Sequence, residues 1–156
     1  MHVGDEVPDF ELPDQEGRPR RLSALLADGP VVLFFYPAAM TPGCTAESCH
    51  FRDLGAEFAA LGAQRVGISA DPVDRQLRFA QANGFDYPLL SDADGEVAAA
   101  LGVRRGGPMA VVAPTRRRTF VIDTDRRILA VISGEIRMRA HADGALEALR
   151  RRRGEG

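Results

Sequence analysis

The sequence is poor in cysteine and in aromatic residues. It has two cysteines and no tryptophan, and aromatic residues make up 6% of its 156 positions. Two thiols are too few for a disulfide-rich secreted scaffold. The 20 basic and 22 acidic side chains leave a formal net charge of −2, which excludes a positive field that would recruit nucleic acid or an anionic membrane. No apolar run approaches the roughly 20 residues of a membrane span.

The hydrophobic share of 45% is enough to fill one core, so we expect a single domain over residues 1–156. Residues 1–14 are acidic and lack the basic start and apolar centre of a signal peptide, which predicts a cytoplasmic location. In that reducing compartment two cysteines are more often catalytic, metal-binding or buried than joined in a structural disulfide.

Hydrophobic periodicity predicts a mixed α/β fold. Residues 31–36 form a continuous apolar run, typical of a central strand covered on both faces. Helices are predicted over residues 41–61, ending near Gly62, over residues 72–83 with Gly84 as terminator, after a turn at residues 92–95, and over residues 141–152. Further strands are predicted near residues 65–70 and 87–91, with hairpins turning near residues 16–17 and 124–126. This order predicts a central mixed β-sheet flanked by helices, preceded by an N-terminal β-hairpin.

Both cysteines fall near the start of the first long helix. Thr41 suits the N-cap and Pro42 the first helical position, which places Cys44 in the first turn. There the helix dipole and unpaired amides favour a thiolate, so Cys44 is predicted to be a nucleophile at neutral pH. Cys49 lies in the next turn, where the dipole effect has faded. On an ideal helix their Cα atoms would be ~8.5 Å apart, beyond the ~7 Å limit for a disulfide, so a reaction between them requires the helix to unwind.

The segment YPAAMTPGCTAESCHFRD resembles the active-site motif of the peroxiredoxins, specifically the bacterioferritin comigratory protein or peroxiredoxin Q subfamily. Pro37, Thr41 and Cys44 match its pattern Pro-x-x-x-Thr-x-x-Cys, and Glu47 and Cys49 match the extension that follows. The resemblance covers roughly residues 3–150. It implies a thioredoxin-like fold and thiol-dependent reduction of hydrogen peroxide and organic hydroperoxides, with no cofactor.

The resemblance also implies roles for the two cysteines. Cys44 attacks the peroxide and becomes a sulfenic acid. Cys49 then condenses with it to an intramolecular disulfide, which thioredoxin or a similar dithiol reduces. The alternative from the residues themselves is that Cys49 is a small buried residue. An external thiol would then resolve the sulfenic acid, in a one-cysteine peroxidase or a peroxide-sensing interaction protein.

Four further residues are expected to complete the site. Arg117 matches the family's active-site arginine by spacing, between Arg116 and Arg118, and would stabilise the thiolate and the leaving oxygen. Thr41 would hydrogen-bond the peroxide or the thiolate, and Pro37 would shield the pocket. Glu47 would orient the arginine, or else be an ordinary acid favoured by the helix dipole.

Two departures from the subfamily stand out. Ala38, Ala39 and Met40 replace residues that are usually polar, which favours bulkier organic or lipid hydroperoxides. Residues 104–117 differ from the longer segment of relatives and form either a surface loop or an association face. The resemblance suggests a monomer or a weak dimer. A zinc site made from the cysteines and histidines is disfavoured because Cys-x-x-Cys and paired-histidine spacings are absent.

Overall fold

The computed structural model describes residues 1–111 and 113–154. Its elements in chain order are β1 Glu11–Pro13, β2 Pro19–Arg21, α1 Leu22–Leu26, β3 Val31–Phe35, α2 Pro42–Asp53, α3 Gly55–Ala60, β4 Gln64–Ser69, α4 Val73–Asn83, β5 Leu89–Ser91, α5 Glu96–Ala100, a 3-10 helix at Pro108–Val111, β6 Arg118–Ile122, β7 Ile128–Ser133 and α6 Met138–Arg152.

Five strands form one mixed sheet in the order β5-β4-β3-β6-β7. Strand β3 pairs in parallel with β4 and antiparallel with β6, and β4 pairs in parallel with β5. Strands β6 and β7 form the late hairpin, and β1 and β2 form the separate N-terminal hairpin. The predicted mixed sheet, its central strand and both hairpins are therefore confirmed.

Side chains alternate across β3, and this divides the core into two layers. Phe34 and Tyr36 pack on the face covered by α2, α3, α4 and α6, whereas Leu33 and Phe35 pack on the face covered by α1 and α5. All five residues of β3 are fully buried. Strand β3 therefore leads into the start of α2, which lies in the same helical layer as α6.

The prediction of one continuous helix over residues 41–61 is wrong, because the chain breaks at Leu54 between α2 and α3. The guanidinium of Arg65 on β4 donates from Nη1 to the carbonyl oxygens of Phe51 at 3.0 Å and Arg52 at 3.3 Å. These carbonyls lie in the last turn of α2, where a helix leaves its acceptors unpaired. A distant side chain therefore satisfies the end of α2, and Gly55 begins the next helix.

The structure differs from the sequence predictions at two other places. Helix α1 was not predicted, and α6 begins at Met138 instead of near residue 141. The segment of residues 104–117 is closed at its base by a bridge between Arg104 and Thr115 and by a 2.7 Å hydrogen bond from the Arg105 amide to the Pro114 carbonyl. Within residues 1–111 and 113–154, no helix is long and apolar enough to cross a membrane.

Candidate active site

Helix α2 begins where the sequence predicted, with Thr41 at the N-cap and Pro42 in the first turn. The first helical hydrogen bond runs from the Thr45 amide to the Thr41 carbonyl at 2.9 Å, which leaves the preceding amides, including that of Cys44, for a ligand or water. The Thr41 side chain does not cap the helix; its hydroxyl donates to the Ala38 carbonyl oxygen at 2.9 Å. Cys44 itself is 1% exposed.

Arg117 is the member of the arginine run that reaches Cys44. Its Nη2 donates to Cys44 Sγ at 3.3 Å, and its Nη1 donates to Glu47 Oε1 at 2.7 Å. Arg117 precedes β6 on the face that carries Thr119, whereas Arg116 is exposed to solvent. Strand periodicity thus selects Arg117 from three adjacent arginines.

The electrostatics of this pair are set by burial. Burial raises the pKa of Glu47 to about 7, and the nearby Arg117 charge and hydrogen bond only partly oppose the shift. For Arg117, burial disfavours the charged form, but the charges of Glu47 and Cys44 outweigh it and raise the pKa. Glu47 is thus a buried partner of Arg117 and lies beyond the first turn of α2.

A second carboxylate, that of Glu135, also contacts Arg117. Its Oε1 accepts from the Arg117 amide at 3.0 Å and from Arg105 Nη2 at 3.0 Å. Glu135 therefore ties the base of the 104–117 segment to the arginine that contacts Cys44. Sequence reasoning did not single out Glu135, which lies 18 residues from Arg117 in a loop and carries no motif.

Cys49 is separated from Cys44 by intact helix. Both thiols are free, and Cys49 Sγ lies 3.7 Å from Asn83 Oδ1 at the end of α4. The helix around Cys49 is also tied down by Tyr87, whose hydroxyl donates to the Ser48 carbonyl at 2.6 Å. The two cysteines lie on one helix, so a disulfide between them would require that helix to open.

The loop between β3 and α2 is held by Asp71. Its carboxylate Oδ2 accepts from the Ala39 amide at 2.7 Å and from the Ser69 hydroxyl at 2.6 Å. The next residue, Met40, has a φ of 67°, a conformation uncommon for a side chain of this size, and is 48% exposed. Half-buried Pro37 lines a shallow groove nearby with Ala38, Arg75 and Pro114.

The structure adds a buried histidine that sequence reasoning did not assign to the site. His141 on α6 lies with its Nδ1 3.6 Å from Glu47 Oε2, and Thr119 on β6 lies 2.8 Å from the same nitrogen. The available signal was a polar residue on the apolar face of α6, beside Ala142 and Ala145. By contrast, His50 is partly buried at the surface and pairs with Asp143.

Comparison with known proteins agrees with this arrangement. The sequence pattern of the AhpC/TSA family matches residues 3–131. The chain belongs to the AhpC/TSA family. It is 67% identical over 150 residues to the putative peroxiredoxin Rv1608c of Mycobacterium tuberculosis, covering 96% of this chain and 97% of that protein.

Solved structures place this AhpC/TSA chain among the peroxiredoxins. The crystal structure of peroxidoxin BcpB from Mycobacterium tuberculosis superposes with a TM-score of 0.92 at 66% identity, covering 97% of each chain. The structure of the bacterioferritin comigratory protein of Xanthomonas campestris superposes with a TM-score of 0.86 at 30% identity, covering 97% of this chain and 99% of that one. The predicted thioredoxin-like fold and the predicted subfamily resemblance are confirmed, and the chain is a thiol-dependent peroxidase.

Proposed function

We propose that this peroxiredoxin reduces hydroperoxides with Cys44 as the attacking thiol and Cys49 as the resolving thiol. The observation that carries the proposal is the 3.3 Å hydrogen bond from Arg117 Nη2 to Cys44 Sγ at the start of α2. A guanidinium and a helix N-terminus both stabilise negative charge on the sulfur.

In the first step the Cys44 thiolate attacks the terminal oxygen of the hydroperoxide. A sulfur–oxygen bond forms, the oxygen–oxygen bond breaks, and an alkoxide or hydroxide leaves and takes a proton from water. Arg117 is oriented to meet the growing charge on the leaving oxygen, since Glu47 holds its other terminal nitrogen at 2.7 Å. The unpaired amide of Cys44 is the further donor proposed for the bound peroxide. The Thr41 hydroxyl, which donates to Ala38, is proposed to accept a hydrogen bond from the peroxide, and Pro37 to shield the pocket.

In the second step the Cys49 thiolate attacks the sulfenic sulfur, and hydroxide leaves and is protonated to water. The resulting disulfide requires α2 to unwind, because the intact helix separates the thiols. Thioredoxin or a similar dithiol then returns both cysteines to thiols. A reducing, cytoplasmic location and a monomer or weak dimer fit this cycle.

The substrate range is proposed to include organic hydroperoxides. The Xanthomonas campestris relative is described by its alkyl peroxide reduction activity. In the present chain the loop before Cys44 carries Ala38 and the exposed Met40, so the rim offers apolar surface to an alkyl group.

The test is non-reducing peptide mapping by mass spectrometry after one equivalent of hydrogen peroxide, on the wild type and on Cys49→Ser. A Cys44–Cys49 linkage in the wild type and one added oxygen on Cys44 in the variant are expected. If the wild type instead accumulates oxidised Cys44 with Cys49 free, the protein is a one-cysteine peroxidase or a sensor that depends on an external thiol.

A further inference from the structure

Among the residues that the structure describes, one oxygen of the buried Glu47 carboxylate has no hydrogen-bond donor. Glu47 is fully buried, and its Oε2 is unpaired while Oε1 accepts from Arg117. A buried carboxylate oxygen without a donor is costly and calls for an explanation. Nδ1 of His141 lies 3.6 Å from this oxygen.

The contacts of His141 define which ring nitrogen carries the proton. Nε2 lies 2.9 Å from the Gly134 carbonyl oxygen, which only accepts, so Nε2 is the donor. Nδ1 of the neutral ring then accepts, and the Thr119 hydroxyl at 2.8 Å is its donor. Burial also lowers the pKa of His141, which keeps the ring neutral. The single lone pair of Nδ1 accepts from Thr119, and His141 offers no hydrogen to Glu47 Oε2.

We propose that His141 is a positioning residue for the peroxidase: its proton-free Nδ1 denies Glu47 Oε2 a second partner and leaves the carboxylate to Arg117. The proposal rests on the proposed function, in which Arg117 serves Cys44. A donor at the position of Nδ1 would hydrogen-bond Oε2 and favour the ionised carboxylate, and Arg117 on Oε1 would then share Glu47 with a second partner.

The charge state of Glu47 depends on every group that faces it. Arg117 approaches from the segment before β6, and Glu135 acts from the loop after β7. Cys44 on α2 acts on Arg117. His141 is the contribution of α6. Arg117 and Cys44 belong to the proposed reaction, and Glu135 is hydrogen-bonded to Arg117. His141 is therefore the position at which the ionisation of Glu47 is changed with least disturbance to the reacting atoms.

Two substitutions act on Glu47 in opposite directions. His141→Asn places an amide N–H₂ near the position of Nδ1, where it donates to Oε2 and favours the ionised carboxylate. His141→Leu replaces the ring by an apolar group and favours the protonated carboxyl. The measurement is the rate of Cys44 oxidation by limiting peroxide in single-turnover experiments at several pH values. The midpoint of the acid limb of this pH profile should be lower in His141→Asn and higher in His141→Leu than in the wild type, each by roughly half to one pH unit.

The matched control is His50→Asn, which alters the other histidine between α2 and α6 and breaks only its contact with Asp143. Its midpoint should equal that of the wild type. In a Glu47→Gln background, neither His141 variant should move the midpoint. Equal midpoints for both His141 variants in the wild-type background, or shifts of the same sign, would overturn the proposal and reduce His141 to a packing residue.

The experiment separates this proposal from the proposed function. If wild-type Cys44 is not oxidised by peroxide, the proposed function itself fails. If Cys44 reacts but the midpoints do not move, only the role of His141 fails. Should His141→Leu not fold, which thermal unfolding would reveal, the sign of the shift in His141→Asn still decides the question.

Discussion

Arg117 and Cys44 are 73 positions apart in the sequence and share a 3.3 Å hydrogen bond from Nη2 to Sγ. The other terminal nitrogen of the same guanidinium is held by Glu47 at 2.7 Å. The planar fork of arginine makes this double contact possible, because it presents two donors in a fixed geometry. An ammonium group on a flexible chain would not reproduce it.

Arg117→Lys is expected to slow the oxidation of Cys44 by peroxide by roughly 10²- to 10³-fold, the usual cost of losing one oriented donor to the transition-state charge. Stopped-flow kinetics with hydrogen peroxide measure the second-order rate constant. The matched control is Arg116→Lys, since Arg116 is the exposed neighbour. Equal rates for the two variants would show that Arg117 does not serve Cys44.

Glu47→Gln is expected to change how stability depends on pH. Burial raises the pKa of Glu47 from 4.5 to about 7, so the folded state binds this proton more tightly than the unfolded state. The contribution of Glu47 to stability is complete below its pKa in the unfolded state and is lost as the pH rises through its pKa in the folded state. The free energy of unfolding of the wild type minus that of Glu47→Gln should therefore fall by up to about 3 kcal/mol between about pH 4 and pH 8.

Urea unfolding at several pH values gives this difference. The lowered pKa of His141 acts with the opposite sign, because its proton is bound more tightly in the unfolded state, and stability is lost as the pH falls. Both proteins contain His141, so its contribution cancels to first order. A difference that stays flat or rises with pH contradicts the prediction.

Tyr87→Phe is expected to speed the formation of the disulfide without changing the first oxidation of Cys44. The substitution removes the hydroxyl that holds the Ser48 carbonyl of α2 at 2.6 Å. One lost hydrogen bond of about 1 kcal/mol in the closed helix corresponds to roughly fivefold faster opening. Rapid acid quench and mass spectrometry follow the sulfenic acid and the disulfide separately.

The control for this variant is Tyr36→Phe, because the Tyr36 hydroxyl is equally buried but bonds to Gln76 on α4. Unchanged or slower disulfide formation in Tyr87→Phe would show that this contact does not restrain α2. A faster resolving step should also lower the fraction of Cys44 oxidised to sulfinic acid at high peroxide.

Gly43→Ala is expected to lower peroxidase activity while leaving stability unchanged or higher. A Cβ at Gly43 would lie 3.3 Å from Met138 Cε and 3.4 Å from Arg117 Nη2. The flexible side chain of Met138 can move aside, but Arg117 is held by Glu47. Displacing Arg117 would therefore misalign its guanidinium at Cys44. Alanine is the better helix former by up to about 1 kcal/mol.

The expected loss for Gly43→Ala is several-fold to roughly tenfold in the rate of Cys44 oxidation, measured beside thermal unfolding. Gly106→Ala is the matched control, since its Cβ would meet no atom of the described residues within 4 Å. An activity that is unchanged in Gly43→Ala would mean that the site tolerates movement of the guanidinium.

The sequence alone determined the local features of this protein. The apolar run of β3, the Thr41-Pro42 start of α2 and the turn at Gly84, which adopts a φ of 63°, follow from patterns within a few residues. The motif around Cys44 was sufficient to predict a peroxiredoxin, and the order of the hydrophobic runs predicted its mixed sheet. These features are readable because backbone preference and hydrophobic period act between near neighbours.

The tertiary structure decided what depends on partners far along the chain. Helix α2 ends early because Arg65 of β4 satisfies its last carbonyl oxygens. Spacing within the motif already selected Arg117, but its 3.3 Å contact with Cys44 depends on the pairing of β6 with β3. His141 faces Glu47 because α6 packs against α2. Such contacts join side chains brought together only by folding, so no local spacing in the sequence encodes them.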